Sequence, residues 1–209
     1  MTSPPATRFG LIRHAPTRWN EHKKIQGQLD SPLSNGGIHQ AAAWGKQLTR
    51  FSWQRILCSD LGRVGETTDL INKTLCLPVI VDPKLREQDW GRWSGKTLAE
   101  VKANDHQLLK QQVQAGWEFR PPGGESRREV LDRCLTALTE IQAAWPGETI
   151  LVVCHEGVIK CLLYHLMGRR FLPEEPKVIK SPYLHLLELK EQTLYLEQLN
   201  RLALAGTGD

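Results

Sequence analysis

Four short apolar runs, "RFGLI" (8–12), "RILCS" (55–59), "PVIVD" (78–82) and "TILVVC" (149–154), recur along the chain with helix-length stretches between them. Each run is continuous in hydrophobicity rather than alternating, the pattern of a strand covered on both faces. Such a sheet needs helices above and below it. Residues 34–50, 61–75, 98–117, 126–144 and 157–167 have helical character; in the first, Ser34 stands at a capping position and Ile38, Ala41, Ala42 and Leu48 recur on one side. Strands alternating with helices imply right-handed crossovers, and hence an α/β three-layer sandwich with a mostly parallel central sheet and helices on both faces. Near the end, "YLHLLELK" and "TLYLEQL" are parted by Glu191 and Gln192, which predicts a C-terminal edge hairpin.

With 209 residues and a 40% apolar share, the chain has enough for one sizeable core. The expected organisation is a single domain over 1–209, with residues 1–7, "MTSPPAT", mobile. The Pro- and Gly-rich "RPPGGES" (120–126) reads as a loop before a helix and not as a linker, because core-like periodicity resumes at once. A net charge of +4 comes from 27 Lys and Arg against 23 Asp and Glu, with the basic residues in scattered pairs. No nucleic-acid partner is therefore expected. No run of about 18 apolar residues exists and the first residues lack the pattern of a secretory signal, so no membrane association is expected. Five cysteines, odd in number and without a C-x-x-C, sit mostly in apolar stretches. Buried free thiols in a reducing compartment follow, and with them a cytoplasmic location.

In an open α/β sheet the ligand site lies just past the carboxyl ends of the strands. The first strand delivers Arg13 and His14 there. The second delivers Ser59 and Asp60, then Arg63 as a helix opens; the third is followed by Glu87 on a loop, and the fourth by His155. Taken singly, a strand-end histidine is usually structural and an arginine early in a helix is usually a solvated charge. Together, four cationic or potentially cationic groups in one cleft repel one another unless an anion joins them. Phosphate suits the set: arginine's planar fork can hold two of its oxygens, and a helix opening near residue 61 adds backbone N–H groups. A neutral imidazole is a competent nucleophile toward phosphorus. A second imidazole, if protonated, would stabilise the equatorial oxygens, and Glu87 could supply the proton an alkoxide needs on leaving.

The ordered motifs "LIRHAPTRWN…IQGQLDSPLS", "CSDLGRVGETT", "LREQDWGRWSG" and "VVCHEGVIK" resemble the histidine phosphatase superfamily, whose best-known branch is the cofactor-dependent phosphoglycerate mutases. The likeness runs from about residue 8 to 165. It implies that His14 becomes transiently phosphorylated, that Arg13, Arg63 and Asn20 bind the phosphoryl oxygens, that His155 completes their pocket, and that Glu87 acts as acid and then base. Thr17, Gln26 and Gly27 match a loop near the substrate mouth; on local sequence, Asn20 also reads as a helix N-cap. Two positions depart from the pattern. Ala15 stands where the family usually has Gly, which a small side chain tolerates if that backbone is not left-handed. Glu156 follows the second histidine where a small residue is usual, so its carboxylate must either face away from the pocket or pair with a base such as Lys160 at i+4.

Rival motifs fare worse. His155-Glu156 followed by His165 lacks the H-E-x-x-H spacing, no Cys/His cluster has zinc-ligand spacing, and no glycine-rich stretch is a P-loop, so neither a metal nor a cofactor is implied. The seven tryptophans are too scattered for a stacking platform, although Trp90 or Trp93 could line the substrate mouth. The leading expectation is a metal-independent phosphomonoester hydrolase acting on a small phosphorylated metabolite. The alternatives are a mutase, whose relatives carry a longer insertion between the counterparts of Glu87 and His155, and a phosphate-ligand binding module that has lost turnover through Glu156. Residues 96–125 and 168–182 are expected to shape substrate choice, and the sequence does not fix the substrate or the oligomeric state.

Overall fold

The computed structural model describes residues 5–204. Six strands form one sheet: β1 (Thr7–Arg13), β2 (Arg55–Cys58), β3 (Val79–Val81), β4 (Thr149–Cys154), β5 (Tyr183–Lys190) and β6 (Thr193–Ala203). Their spatial order is β3-β2-β4-β1-β5-β6. β1, β2, β3 and β4 pair in parallel, whereas β5 runs antiparallel to β1 and β6 antiparallel to β5. The expected three-layer α/β sandwich with an edge hairpin is thus the observed fold.

The continuous apolar runs have a direct cause in β1 and β4. Phe9, Leu11, Ile150, Val152 and Cys154 face one helical layer, while Ile12, Leu151 and Val153 face the other. The first layer is α6 (Arg127–Ala144) and α7 (Glu156–Leu166); the second is α2 (Asn35–Leu48) and α3 (Gly62–Leu75). β3 departs from this explanation. It is the sheet edge, with Val79 and Val81 42% and 57% exposed, so its apolar run reflects strand propensity and not burial on both faces.

Three further differences have local causes. Thr7, expected to be mobile, is fully buried at the start of β1 and its Oγ1 accepts from the Gly147 amide at 3.1 Å; residues 1–4 of that expectation lie outside the described residues. The helix expected over 98–117 is broken into α4 (Leu98–Asn104), α5 (His106–Gln114) and a 3₁₀ turn, Gly116–Glu118. The break falls at Asp105, which leaves helical geometry (φ −130°, ψ 33°) and accepts from the indole N–H of Trp93 at 2.8 Å. Trp93, Val101, Leu109 and Phe119 form a separate small core, so tertiary packing overrides helical continuity there. Finally, a short helix not anticipated from the sequence, α1 (Arg18–Glu21), follows the β1 loop.

The loop that leaves β1 is seated against the start of α2. The Ser34 amide donates to the Pro16 carbonyl at 2.9 Å, and Ser34 Oγ accepts from the Gly37 amide at 3.1 Å. A Cβ at Gly37 would overlap the Pro16 carbonyl oxygen, whereas one at Gly36 would meet only Ser34 Oγ at 3.9 Å. Gly37→Ala is therefore expected to cost about 1–3 kcal/mol in urea unfolding, and Gly36→Ala to leave stability unchanged or raise it by up to about 1 kcal/mol. Equal effects of the two substitutions would contradict this seating of the loop.

Candidate active site

The carboxyl end of β1 carries the first site residues. His14 stays in sheet register, its amide donating to the Cys154 carbonyl at 3.0 Å. Its Nδ1 lies 2.8 Å from the Ala15 carbonyl oxygen. A carbonyl can only accept, so Nδ1 carries the proton and Nε2 carries the lone pair. Burial, reinforced by the charges of Arg13 and Arg63, holds His14 well below the ordinary imidazole range, so the ring is neutral. Ala15 has no left-handed backbone and is fully buried, its amide donating to Thr67 Oγ1 at 3.1 Å. The substitution of Ala for the usual Gly is accommodated for that reason.

Arg63, in the first turn of α3, is 1% exposed. One terminal nitrogen, Nη1, donates to the Leu29 carbonyl at 2.8 Å and to Asp30 Oδ1 at 3.0 Å. The other, Nη2, donates to the Gly27 carbonyl at 2.7 Å and to His155 Nδ1 at 3.2 Å. Because a guanidinium only donates, His155 Nδ1 is an acceptor and its Nε2–H donates to Ser59 Oγ at 3.1 Å. Burial, with His14, Arg63 and Arg13 nearby, also holds His155 well below the ordinary imidazole range. A protonated second imidazole is therefore not what this site presents; its cationic charge resides on the arginines. The two imidazoles meet edge to face, centroids 5.4 Å apart. Both Arg13 Nε and Arg63 Nε are buried without a hydrogen-bond acceptor among the described residues. Two such donors flanking a neutral imidazole are a costly arrangement that an anion would satisfy.

Glu87 reaches the same cleft from the loop beyond β3. Its Oε1 accepts from the Gln88 amide at 2.8 Å and its Oε2 from the Gly157 amide at 3.2 Å, in the first turn of α7. A side chain at residue 157 would overlap the Glu87 carboxylate, so this approach requires glycine. The adjacent Glu156 does not face away: it bonds Arg13 Nη1 at 2.7 Å through one oxygen and Lys160 Nζ through the other. Its charge is thereby answered twice, and these cations hold its carboxyl below the usual range against the opposing effect of burial.

The residues converge on a cleft of ≈ 560 Å³ lined by Arg13, His14, Asn20, Gln26, Gly27, Arg63 and Glu87. His155 lies beneath it, fully buried and in contact through Arg63 and His14. Thr17 does not line the cleft. It is the N-cap of α1, accepting from the Asn20 amide at 3.2 Å, while Asn20 Oδ1 accepts from the Thr17 amide at 3.0 Å. Asn20 is thus the third helical residue of a capping box and not the N-cap itself, and it faces the cleft with its oxygen already engaged. Gln26 presents a buried Oε1 without a partner among the described residues. Trp90 lines the cleft, whereas Trp93 is fully buried in the small core. Sequence reasoning missed Arg127 and Tyr164, which also line the cleft and which no strand-end position marks; Phe171, lining it too, falls in the 168–182 segment expected to shape substrate choice.

Among the described residues no group of three or more His, Cys, Asp or Glu side chains is arranged to hold a metal ion. The family model described as histidine phosphatase superfamily, branch 1, matches residues 9–201. The chain belongs to the histidine phosphatase superfamily. A curated relative, the probable phosphoglycerate mutase GpmB of Serratia proteamaculans, is 34% identical over 158 residues, covering 76% of this chain and 74% of the relative. Among solved structures, Bacillus stearothermophilus YhfR matches with a TM-score of 0.85 at 30% identity, over 95% of this chain and 98% of its own. A mycobacterial glucosyl-3-phosphoglycerate phosphatase, Rv2419c, solved in complex with VO3, matches with a TM-score of 0.79 at 30% identity, over 92% and 98%. Superfamily members of both kinds, phosphatases and mutases, are therefore similar to this chain.

Three buried histidines set a pH dependence. His14 and His155 are held low as described, and burial pushes His185 down to about 4. Below about pH 6.5 the unfolded chain takes up protons at these positions before the folded one does. Their contribution is complete above that pH and is lost as pH falls toward the folded values. Urea stability should fall from about pH 6 to pH 5 by up to about 1.4 kcal/mol for each histidine that stays neutral, and His185→Gln should flatten the slope. A profile level over that range would contradict the neutral assignment.

Proposed function

We propose that the chain is a cytoplasmic, metal-independent phosphomonoesterase that acts through a phosphohistidine on His14, with a small phosphorylated metabolite as substrate. The observation that carries this reading is the neutral His14, its Nδ1 tied to the Ala15 carbonyl and its Nε2 left with the lone pair, near two buried arginine N–H donors without acceptors among the described residues. In the first step Nε2 attacks phosphorus, the bond from phosphorus to the ester oxygen breaks, and Glu87 gives its proton to the departing alkoxide. In the second, Glu87 takes a proton from water as that water attacks phospho-His14, releasing phosphate and restoring the neutral imidazole. Arg13 and Arg63 hold the transferring oxygens throughout, as fixed charges that need no reorganisation. His155 buttresses Arg63, and Asn20, Gln26 and Gly27 shape the phosphoryl and leaving-group sides. Thr17 acts through the capping box that sets Asn20.

The location rests on five free thiols, four of them buried, which suit a reducing compartment. Mutase chemistry is a second reading, favoured by the naming of curated relatives as probable phosphoglycerate mutases. It shares every step up to phospho-His14 and differs only in which hydroxyl captures the phosphoryl group. Hydrolysis is preferred because the segment between Glu87 and α6 holds just two short helices, α4 and α5, and two 3₁₀ turns over a small core, with no longer insertion to enclose a product. The binding-module reading loses its motive, since Glu156 is neutralised by Arg13 and Lys160.

The role of Glu87 is tested by leaving group. In single-turnover phosphorylation, Glu87→Ala should slow an alkyl phosphate by about 10²-fold or more and nitrophenyl phosphate by less than about tenfold, because nitrophenolate departs without a proton. Glu156→Ala should change both by a similar factor. Leaving-group sensitivity at Glu156 instead of Glu87 would reverse the assignment.

A further inference from the structure

The far wall of the cleft contains a cation that the phosphoryl chemistry does not use. Arg127 is the first helical residue of α6 and lines the cleft. The other arginines of that helix are each answered by an acid: Arg128 by Glu118 and Arg133 by Glu125, both at 2.7 Å. Among the described residues no carboxylate pairs with Arg127. Its Nη1 donates to the Gly116 carbonyl at 2.9 Å, and its guanidinium lies between two rings, 4.3 Å from the Phe119 centroid and 4.5 Å from that of Phe171. Burial pushes it down to about 10, a sign of how little solvent stabilises its charge.

Packing alone does not account for an arginine there. A leucine or methionine would fill the gap between two rings without the desolvation cost of a cation. Position adds a second cost, because a positive charge in the first turn opposes the helix dipole. The clamp is also built at some expense: Phe171 has φ 61°, an unfavourable conformation for a bulky side chain. It is held there by Trp117 and Tyr164, with centroids 4.7 and 4.3 Å away.

We propose that Arg127, clamped between Phe119 and Phe171, receives a second anionic group on the alcohol portion of the substrate, so that the cleft selects phosphomonoesters whose leaving alcohol carries a carboxylate or a further phosphoryl group. The inference rests on reading the His14 end of the cleft as the phosphoryl site. A flat guanidinium that lines the cleft with no carboxylate partner among the described residues suits the planar, bidentate geometry of such an anion, and the two rings fix its orientation before ligand arrives.

Alkylphosphonates test this without turnover. Calorimetric affinities are measured for a series of short-chain phosphonates ending in methyl, carboxylate or a second phosphonate, with wild type, Arg127→Gln and Arg127→Lys. Wild type should bind the best doubly anionic member at least about tenfold more tightly than its methyl counterpart, and Arg127→Gln should reduce that ratio to within about twofold. Arg127→Lys should retain part of it. The carboxylate and bisphosphonate arms show which anion is preferred. A wild-type ratio within about twofold overturns the proposal even if Arg127→Gln fails to fold, as does a ratio that survives in Arg127→Gln. If the methyl phosphonates do not bind wild type at all, the phosphoryl site itself is misassigned; if they bind and the ratio is absent, only the role of Arg127 is overturned.

Discussion

Burying Arg63 fully and Arg13 in part beside two histidines is the constraint on which the site depends. Each charge removed from water carries a penalty of roughly several kcal/mol, and the fold answers it in part. Asp30 and the Gly27 and Leu29 carbonyls hold the ends of Arg63, and Glu156 holds one end of Arg13. In both arginines the Nε–H is left without an acceptor among the described residues. The two imidazoles respond by staying neutral. His14 thereby keeps its lone pair on Nε2 without needing a base to remove a proton, and His155 becomes an acceptor that orients Arg63.

The same constraint explains the unusual residue after His155. A lone carboxylate on the rim would repel phosphate, but Glu156 is bonded to both Arg13 and Lys160. It is better seen as a clamp on Arg13, fixing the guanidinium so that its Nε–H faces a defined direction. Glu87 is held by a different device, two backbone amides, one of them at the start of α7. Gly157 is needed because the carboxylate occupies the space a side chain would fill. One helix start therefore positions two acids: Glu156 holds a cation, and Glu87 lines the cleft.

Much of this was legible in the sequence because it depends on strand ends. Arg13, His14 and His155 follow apolar runs directly, and Arg63 opens the next helix, so topology alone gathers them. Local hydrogen bonding was less legible. Asn20 reads as a cap, and it does belong to a capping box, but as the third helical residue beneath Thr17. The break at Asp105 depends on Trp93, twelve residues away, which no local pattern announces. The protonation of His155 was not readable either, since it follows from which arginine atom lies against Nδ1. Arg127 looked like half of a scattered basic pair; only the folded chain shows Phe119 and Phe171 on either side of it.

The central claim is that a covalent bond forms between phosphorus and His14 Nε2. Rapid quenching of wild type reacting with a phosphate ester labelled in its phosphoryl group, followed by peptide mapping, addresses it most directly. The account predicts label on the peptide that contains His14, kept in base, lost in acid, and absent from His14→Ala. Label on another residue, label that survives acid and is lost in base, or turnover with no labelled protein during a burst of released alcohol would contradict it.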